Sequence, residues 1–477
     1  MNEMILTWLV FILAFGGMVL IHEFGHYIVA RWSRIEVEEF GIGLPTPGAL
    51  TLWSNKGYLL LDDGGRVEIP SNFKFPLNWN ELIDHQAKIT VDRIEDRLIM
   101  RSIEVLKSED PKHHAGSRYE TYVDQNGKVV QPQGSAGQAP ARKIIKAGKT
   151  TGERELVDVV TEVHPGTRFT LNWLPLGGFV RPKGENDPNV PGGLAAASPW
   201  KRLAVLFAGP LMNLLTAVLI YTIIFNRVGV PDATRVLVSS VAEDSPAAQA
   251  GFEYGDIFIS GNGQPIHSYD DLRLIVDANE NKPVTFLVDR SGKQVELTTI
   301  PEMNAEAKRI MIGVGLGVPF KPATSPIETL SLGARFTYLN VRTLIALPAQ
   351  MIRGSLNSEQ SRLIGLKGIF DVLQQTVSRD VEATTTAPTS TDPMDQPVRT
   401  LELIASLSIS LGLFNLFPFP ALDGGRIIFI LPELIFRRRV SPQVENLVHG
   451  MGMAFLLLLM IYINVMDFVN PINVTIP

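Results

Sequence analysis

The sequence predicts a polytopic α-helical membrane protein with two folded polar blocks outside the bilayer. Three observations predict it. Long apolar segments recur along the 477 residues, each near the roughly 20 residues needed to cross a hydrocarbon core. Two polar stretches, residues 35–200 and 226–325, separate them and carry the alternation and turn residues of folded chain. Lys and Arg gather at one end of the apolar segments, which sets an orientation. Composition agrees, with 45% hydrophobic and 19% charged residues. A net charge of -6 without a long basic run argues against a nucleic-acid partner. The chain has no cysteine, so disulfides, thiolate metal sites and a cysteine nucleophile are excluded.

About four transmembrane helices are expected. The first segment, Met4 to Ala30, lacks the basic start and small-residue cleavage site of a signal peptide, so it reads as a retained helix (residues 1–34). The second is Leu203 to Phe225 (201–226), the third Leu401 to Phe419 (400–425) and the fourth Leu447 to Val469 (447–470). A weaker apolar stretch within 325–378 carries Arg335 and Arg342, which suits a helix lying in the interface. Residues 379–399 are rich in Thr, Pro and acid and read as a flexible linker. Arg31 and Arg34, Lys201 and Arg202, and Arg426 with Arg437, Arg438 and Arg439 all flank the same ends. Both termini and residues 226–325 then lie outside, and residues 35–200 inside.

The inner block reads as β-rich. "YVDQNGKVV" is a hairpin signal around Asn126-Gly127. Residues 87–106 are ambiguous between strand and helix. "HPGTRFTLNWLPLGGFVRP" gives a strand, a kink at Gly177-Gly178 and another strand. The outer block is better defined. A strand leads to a short helix with Ser245 as cap, Pro246 at its first position and Gly251 at its end. Two strands follow, then a helix capped by Ser268, a hairpin and the stretch Arg309 to Val318. This order, headed by "SPAAQAGFEYGD", resembles a PDZ domain of the bacterial protease-associated type over residues 233–320. The resemblance implies binding of chain ends by strand addition, with a peptide C-terminus taken by Gly315, Leu316 and Gly317 of "GLGV".

The chemistry is carried by "HEFGH". Residues four apart share a helix face, so His22 and His26 present two imidazoles with Glu23 beside them. Two metal ligands and a general base make a zinc hydrolase pattern. Charged groups in a membrane helix are costly unless they pair, ligate or catalyse, and a metal compensates them. A third ligand must come from elsewhere. One candidate is Asp423 in "LFNLFPFPALDGGRIIF", where Pro418 and Pro420 break the backbone ladder and Gly424-Gly425 allow a tight turn. The other is His449, at the start of the fourth segment. His85, His113, His114, His164 and His267 read as surface histidines.

H-E-x-x-H in the first apolar segment, with N-x-x-P-x-P-x-L-D-G-G in a later one, resembles the site-2 protease family of intramembrane zinc metalloproteases. The resemblance covers most of the chain. It extends to "FAGPLMN" (Phe207 to Asn213), to "FGIGLP" and "LPLGGFVRP" as strands of a membrane-associated β-hairpin, and to the place of the PDZ-like block. It implies one Zn2+ per chain held by His22, His26 and Asp423, Glu23 as base, and Asn415 as a substrate-positioning residue. It also implies a bacterial inner-membrane enzyme that cuts transmembrane helices of membrane proteins, often anti-sigma factors after a first cut outside. The "LPLGGFV" strand, with Gly177 and Gly178, would hold extended substrate by edge pairing. Residues 47–165 separate the two hairpin strands, where the family usually has a short connection, and read as an inserted inner-side domain. Two other classes fit the same residues: a catalytically silent membrane PDZ scaffold, and a membrane-bound zinc peptidase acting on soluble peptides.

Overall fold

A computed structural model describes residues 3–73, 82–94, 97–106, 118–120, 122–123, 129–130, 151–174, 177–304, 309–353, 363–386 and 396–470. The chain divides into two units, residues 1–216, 341–377 and 406–477 in one, and residues 217–340 and 378–405 in the other.

In the first unit, α1 runs over Glu3–Trp32. It packs against α2, Pro199–Val228, at a point where only glycine fits: a Cβ on Gly25 would sit 2.5 Å from the Ala208 carbonyl. After α1 come β1 (Val37–Ile42) and β2 (Leu50–Ser54). Then follow β3 (Gly57–Leu61), β4 (Arg66–Ile69), β5 (Gln86–Ile94), β6 (Arg97–Val105), β7 (Arg118–Glu120) and β8 (Thr151–His164). These six form one sheet in the order β4-β3-β8-β5-β6-β7. Its core is aliphatic, with Leu59, Val67, Ile89, Val91, Met100, Ile103 and Val160 buried. The described residues of the ambiguous stretch 87–106 are thus two antiparallel strands. Val91 stands opposite Met100, and alternate residues fill the core, as a two-residue period requires. Asn126-Gly127 lie outside the described residues. The short strands Tyr122–Val123 and Val129–Val130 that flank them pair antiparallel.

Two further strands, β9 (Arg168–Leu171) and β10 (Gly178–Pro182), join β1 and β2 in the order β10-β1-β9-β2. The two strands expected to form a hairpin, β1 and β10, do pair antiparallel, with Gly41 opposite Phe179. They belong, however, to a sheet of four and not to an isolated hairpin. β9 runs parallel to β1, and β2, from within the expected insertion, closes the far edge. His164 departs from its expected surface role. It is buried, with Nδ1 against Glu36 and Nε2 2.8 Å from Glu162, and Tyr58 stacks on its ring. The chain after β8 must pass directly from one sheet to the other, which places this residue at the seam.

The second unit holds the PDZ-like block. Its strands are β11 (Val236–Val241), β12 (Ile257–Gly261), β13 (Gln264–Pro265), β14 (Val284–Arg290), β15 (Lys293–Thr299) and β16 (Val314–Gly317). The sheet order is β15-β14-β12-β11-β16, with β13 on β12. Helices α3 (Pro246–Ala250) and α4 (Tyr269–Asp277) start at Ser245 and Ser268, whose hydroxyls accept the N–H groups of Ala248 and Asp271. Gly251 ends α3 with φ of 82°, a conformation that favours glycine. Phe252, Phe258 and Phe286 centre the core. Asp256 is fully buried and grips Arg290 through two contacts of 2.7 Å. That carboxylate holds the guanidinium above its ordinary range. Gly315, Leu316 and Gly317 lie in an edge strand and not in a loop, because their backbone pairs with β11, Gly315 opposite Ser240.

The remaining helices are α5 (Pro326–Ile352), α6 (Leu366–Thr386), α7 (Arg399–Asn415), α8 (Asp423–Phe436) and α9 (Pro442–Val469). The expected linker 379–399 is shorter than its composition suggests, since α6 continues to Thr386. Asp380 explains this: from α6 its carboxylate accepts the N–H groups of Arg399 and Thr400 at 3.2 and 2.9 Å. It thereby caps α7 as a helix N-terminus requires. Among the described residues three helices, α1, α2 and α9, are long and apolar enough to cross a membrane. The third expected span is broken. α7 has 17 residues and stops at Asn415, below the roughly 20 of a full crossing, and α8 restarts at Asp423.

Candidate metal centre

Three side chains from distant parts of the chain converge in the first unit. His22 and His26 lie one turn apart on α1, and Asp423 opens α8. His22 Nε2 is 3.1 Å from Asp423 Oδ2, His26 Nε2 is 3.4 Å from the same oxygen, and the two Nε2 atoms are 3.2 Å apart. All three side chains are mostly buried. Among the described residues, this is the one group of His, Cys, Asp or Glu placed to hold a metal ion.

The turn that delivers Asp423 is built by close packing. Ala421 takes φ of 79° and its N–H donates to His449 Nδ1 at 2.8 Å. His449 therefore braces the turn and does not join the donors. Gly424 and Gly425 are helical, and neither needs a positive φ. A Cβ on Gly424 would lie 2.2 Å from the Phe417 carbonyl, and one on Gly425 2.2 Å from that of Phe419. The glycines let the first turn of α8 lie against the preceding backbone, a different role from the flexible turn expected.

The neighbours of the imidazoles come from α2. His26 Nδ1 donates to the Val205 carbonyl at 2.7 Å, which leaves Nε2 facing the other two donors. Asn213, wholly buried, places Nδ2 3.2 Å from His22 Nδ1. Gly209 faces both rings, and a Cβ there would be 2.4 Å from His26 Nε2 and 2.8 Å from His22 Nε2. None of these three was assigned a role from sequence. The available signal was the polar Asn213 in an otherwise apolar helix, four residues after Gly209. Glu23 is tied elsewhere: its Oε2 accepts the Val180 N–H of β10 at 3.1 Å. Asn415 ends α7, and the structure does not bring it into the donor set. Gly177 and Gly178 seat β10 on α1, where Cβ atoms would meet Val19 at 2.9 Å and Leu20 at 3.1 Å.

The arrangement fits zinc. A tetrahedral site with bonds of roughly 2.0–2.1 Å has donor–donor edges of about 3.3–3.4 Å, close to the three separations found. Two imidazole nitrogens and a carboxylate oxygen are a catalytic donor set that leaves one position open, and the missing Cβ of Gly209 preserves the space beside them. The sequence matches the profile of peptidase family M50 over residues 10–83 and 157–459.

The chain belongs to peptidase family M50.

It is 27% identical over 467 residues to the zinc metalloprotease RasP of Oceanobacillus iheyensis, covering 96% of this chain and 97% of that one. It is 26% identical over 473 residues to an Enterococcus faecalis protein named "Probable protease eep", with the same coverage. The M50 match omits residues 84–156, which hold β5, β6, β7 and the first part of β8. Among solved structures, the PDZ domain of a Listeria monocytogenes SdrC-like protein aligns with 17% of this chain and 85% of its own length, at 21% identity and a TM-score of 0.16. This M50 peptidase is a membrane-embedded zinc metalloprotease of the site-2 type, with Zn2+ as cofactor.

Proposed function

We propose that this M50 peptidase hydrolyses peptide bonds within transmembrane segments of other membrane proteins, with His22, His26 and Asp423 holding zinc and Glu23 acting as base. One observation carries the reading. The three donors converge on a helix long and apolar enough to cross a bilayer, with Glu23 beside them. When bound there, zinc supplies Lewis acidity that polarises a carbonyl and acidifies water. The chain supplies the rest. Glu23 takes the proton of the attacking water and returns it to the departing amine. β10 is an edge strand and can hold an unwound substrate segment by backbone pairing, since a helical substrate hides its carbonyls in its own ladder. Asn415, at the end of α7, positions substrate beside Asp423.

The basic flanks favour an orientation with the donors near the inner, cytoplasmic face of a bacterial membrane and the PDZ-like block outside. Four crossings then result, with α7 and the turn to α8 together forming the third. The edge strand β16, with Gly315, Leu316 and Gly317, offers a place for a peptide C-terminus outside. An anti-sigma factor trimmed by an earlier cut is a substrate of the right form. The test is cleavage, in membranes, of a helical transmembrane reporter compared with its soluble peptide fragment. Preference for the membrane-embedded reporter is expected. Equal or better turnover of the soluble fragment would instead mark a surface peptidase.

A further inference from the structure

We propose that Asn213 is the positioning residue of His22, presenting its amide oxygen to the ring Nδ1–H so that Nε2 keeps its lone pair for zinc. The inference rests on the reading of His22 as a ligand through Nε2. Three facts meet at this side chain. It is wholly buried in α2. Its Nδ2 stands 3.2 Å from His22 Nδ1. Its Oδ1 is buried without a hydrogen-bond partner. A buried amide oxygen with no donor is unfavourable, more so at membrane depth, so this one calls for a donor.

The tautomer of His22 supplies one. With Nδ2 donating, Nδ1 is the acceptor and Nε2 carries the ring proton, which it can share with Asp423 Oδ2 at 3.1 Å. That tautomer has no lone pair for a metal. Ligation through Nε2 moves the proton to Nδ1, which then needs an acceptor. A half-turn of the Asn213 amide brings Oδ1 into that place without moving the backbone. His26 needs no such adjustment, because its Nδ1 already donates to the Val205 carbonyl. The two imidazoles are thus held differently, one by a backbone carbonyl and one by a side-chain amide. The Asn213 backbone is itself pinned, since Ser408 of α7 donates its hydroxyl to the Asn213 carbonyl at 2.8 Å. The chain Ser408, Asn213, His22 therefore links α7, α2 and α1.

The experiment measures zinc affinity of the full chain in detergent, by competition with a chromophoric chelator, for the wild type, Asn213→Leu, Asn213→Asp and His22→Ala. Asn213→Leu keeps the volume and removes the acceptor, and should weaken zinc about 10- to 100-fold, as loss of an outer partner of a ligating histidine does. Asn213→Asp restores an acceptor and should bind zinc at least as tightly as the wild type. Unchanged affinity in Asn213→Leu overturns the proposal. So does an Asn213→Asp variant as weak as Asn213→Leu, because an acceptor would then not be what His22 requires. Zinc retained by His22→Ala would sink the ligand reading instead, a distinguishable result. Should the variants fail to insert, the wild type with 15N-labelled asparagine decides. The Asn213 side-chain amide signal should move when zinc is added to the metal-free protein, and a signal that stays in place overturns the proposal.

Discussion

The carboxylate of Glu23 accepts the backbone N–H of Val180 at 3.1 Å, so the candidate base is fastened to the edge strand beside it. One oxygen is engaged by β10, and the other remains for proton transfer. A glutamine retains an acceptor for Val180 but is no base. Glu23→Gln should keep full zinc content and lose about 100- to 10,000-fold in turnover, measured as reporter cleavage in membranes beside metal analysis of the purified protein. Cleavage within tenfold of the wild type would remove Glu23 from the chemistry.

Asp423 contributes the carboxylate among the donors. Two imidazoles alone leave a dication under-neutralised in a low-dielectric site. Asp423→Ala should lower zinc content and abolish cleavage while the protein still inserts. Asp423→Asn should retain partial zinc with little activity. Stoichiometric zinc of unchanged affinity in the alanine variant would show that another group completes the site.

Gly209 gives a steric test. A methyl group there would stand 2.4 Å from His26 Nε2, whereas a Cβ on Gly17 of α1 meets nothing within 4 Å. Gly209→Ala should therefore strip the site of zinc, and Gly17→Ala should leave metal and activity intact. Equal zinc in the two variants would mean that α2 yields at Gly209.

The basic flanks make a prediction about sidedness. Protease added to right-side-out vesicles should nick residues 226–325 and spare residues 35–200. The reverse pattern would turn the donors toward the outer face.

In the PDZ-like block, Asp256 is fully buried and Arg290 is its partner. Arg290→Met strands a buried charge and should destabilise that domain by about 3 kcal/mol, read as a lower unfolding midpoint in the full chain. A shift under 1 kcal/mol would mean that the pair is solvated after all.

The sequence made the donors legible because two of them share one helical turn and the third sits where prolines interrupt an apolar run. Gly209 and Asn213 fall in "FAGPLMN", but the contacts they make, and that of the Val205 carbonyl, are not legible until a second helix is laid against α2. The caps at Ser245 and Ser268 were local, and so could be placed from sequence. His164 was not, because its burial depends on Glu36, which is 128 residues away. The linker was overestimated for a similar reason: a Thr-rich composition does not disclose that Asp380 will cap the helix that follows.

Strand β2 turns the inner block into a lever. The six-stranded sheet is joined to the four-stranded one by two short connections, β2 to β3 and β8 to β9, and the latter sheet runs through β1 to β10, whose Val180 holds the Glu23 carboxylate. A surgeon working from sequence would excise residues 47–165. That cut would tear β2 away and leave β9 with a raw edge open to foreign strands. The chain offers a cleaner seam. The Asn55 N–H donates to the Thr167 carbonyl at 2.9 Å, and the Asn55 carbonyl crowds Gly166 so closely that a Cβ there would lie 1.9 Å away. Joined at those two residues, the β10-β1-β9-β2 sheet keeps all four strands and loses the lever arm.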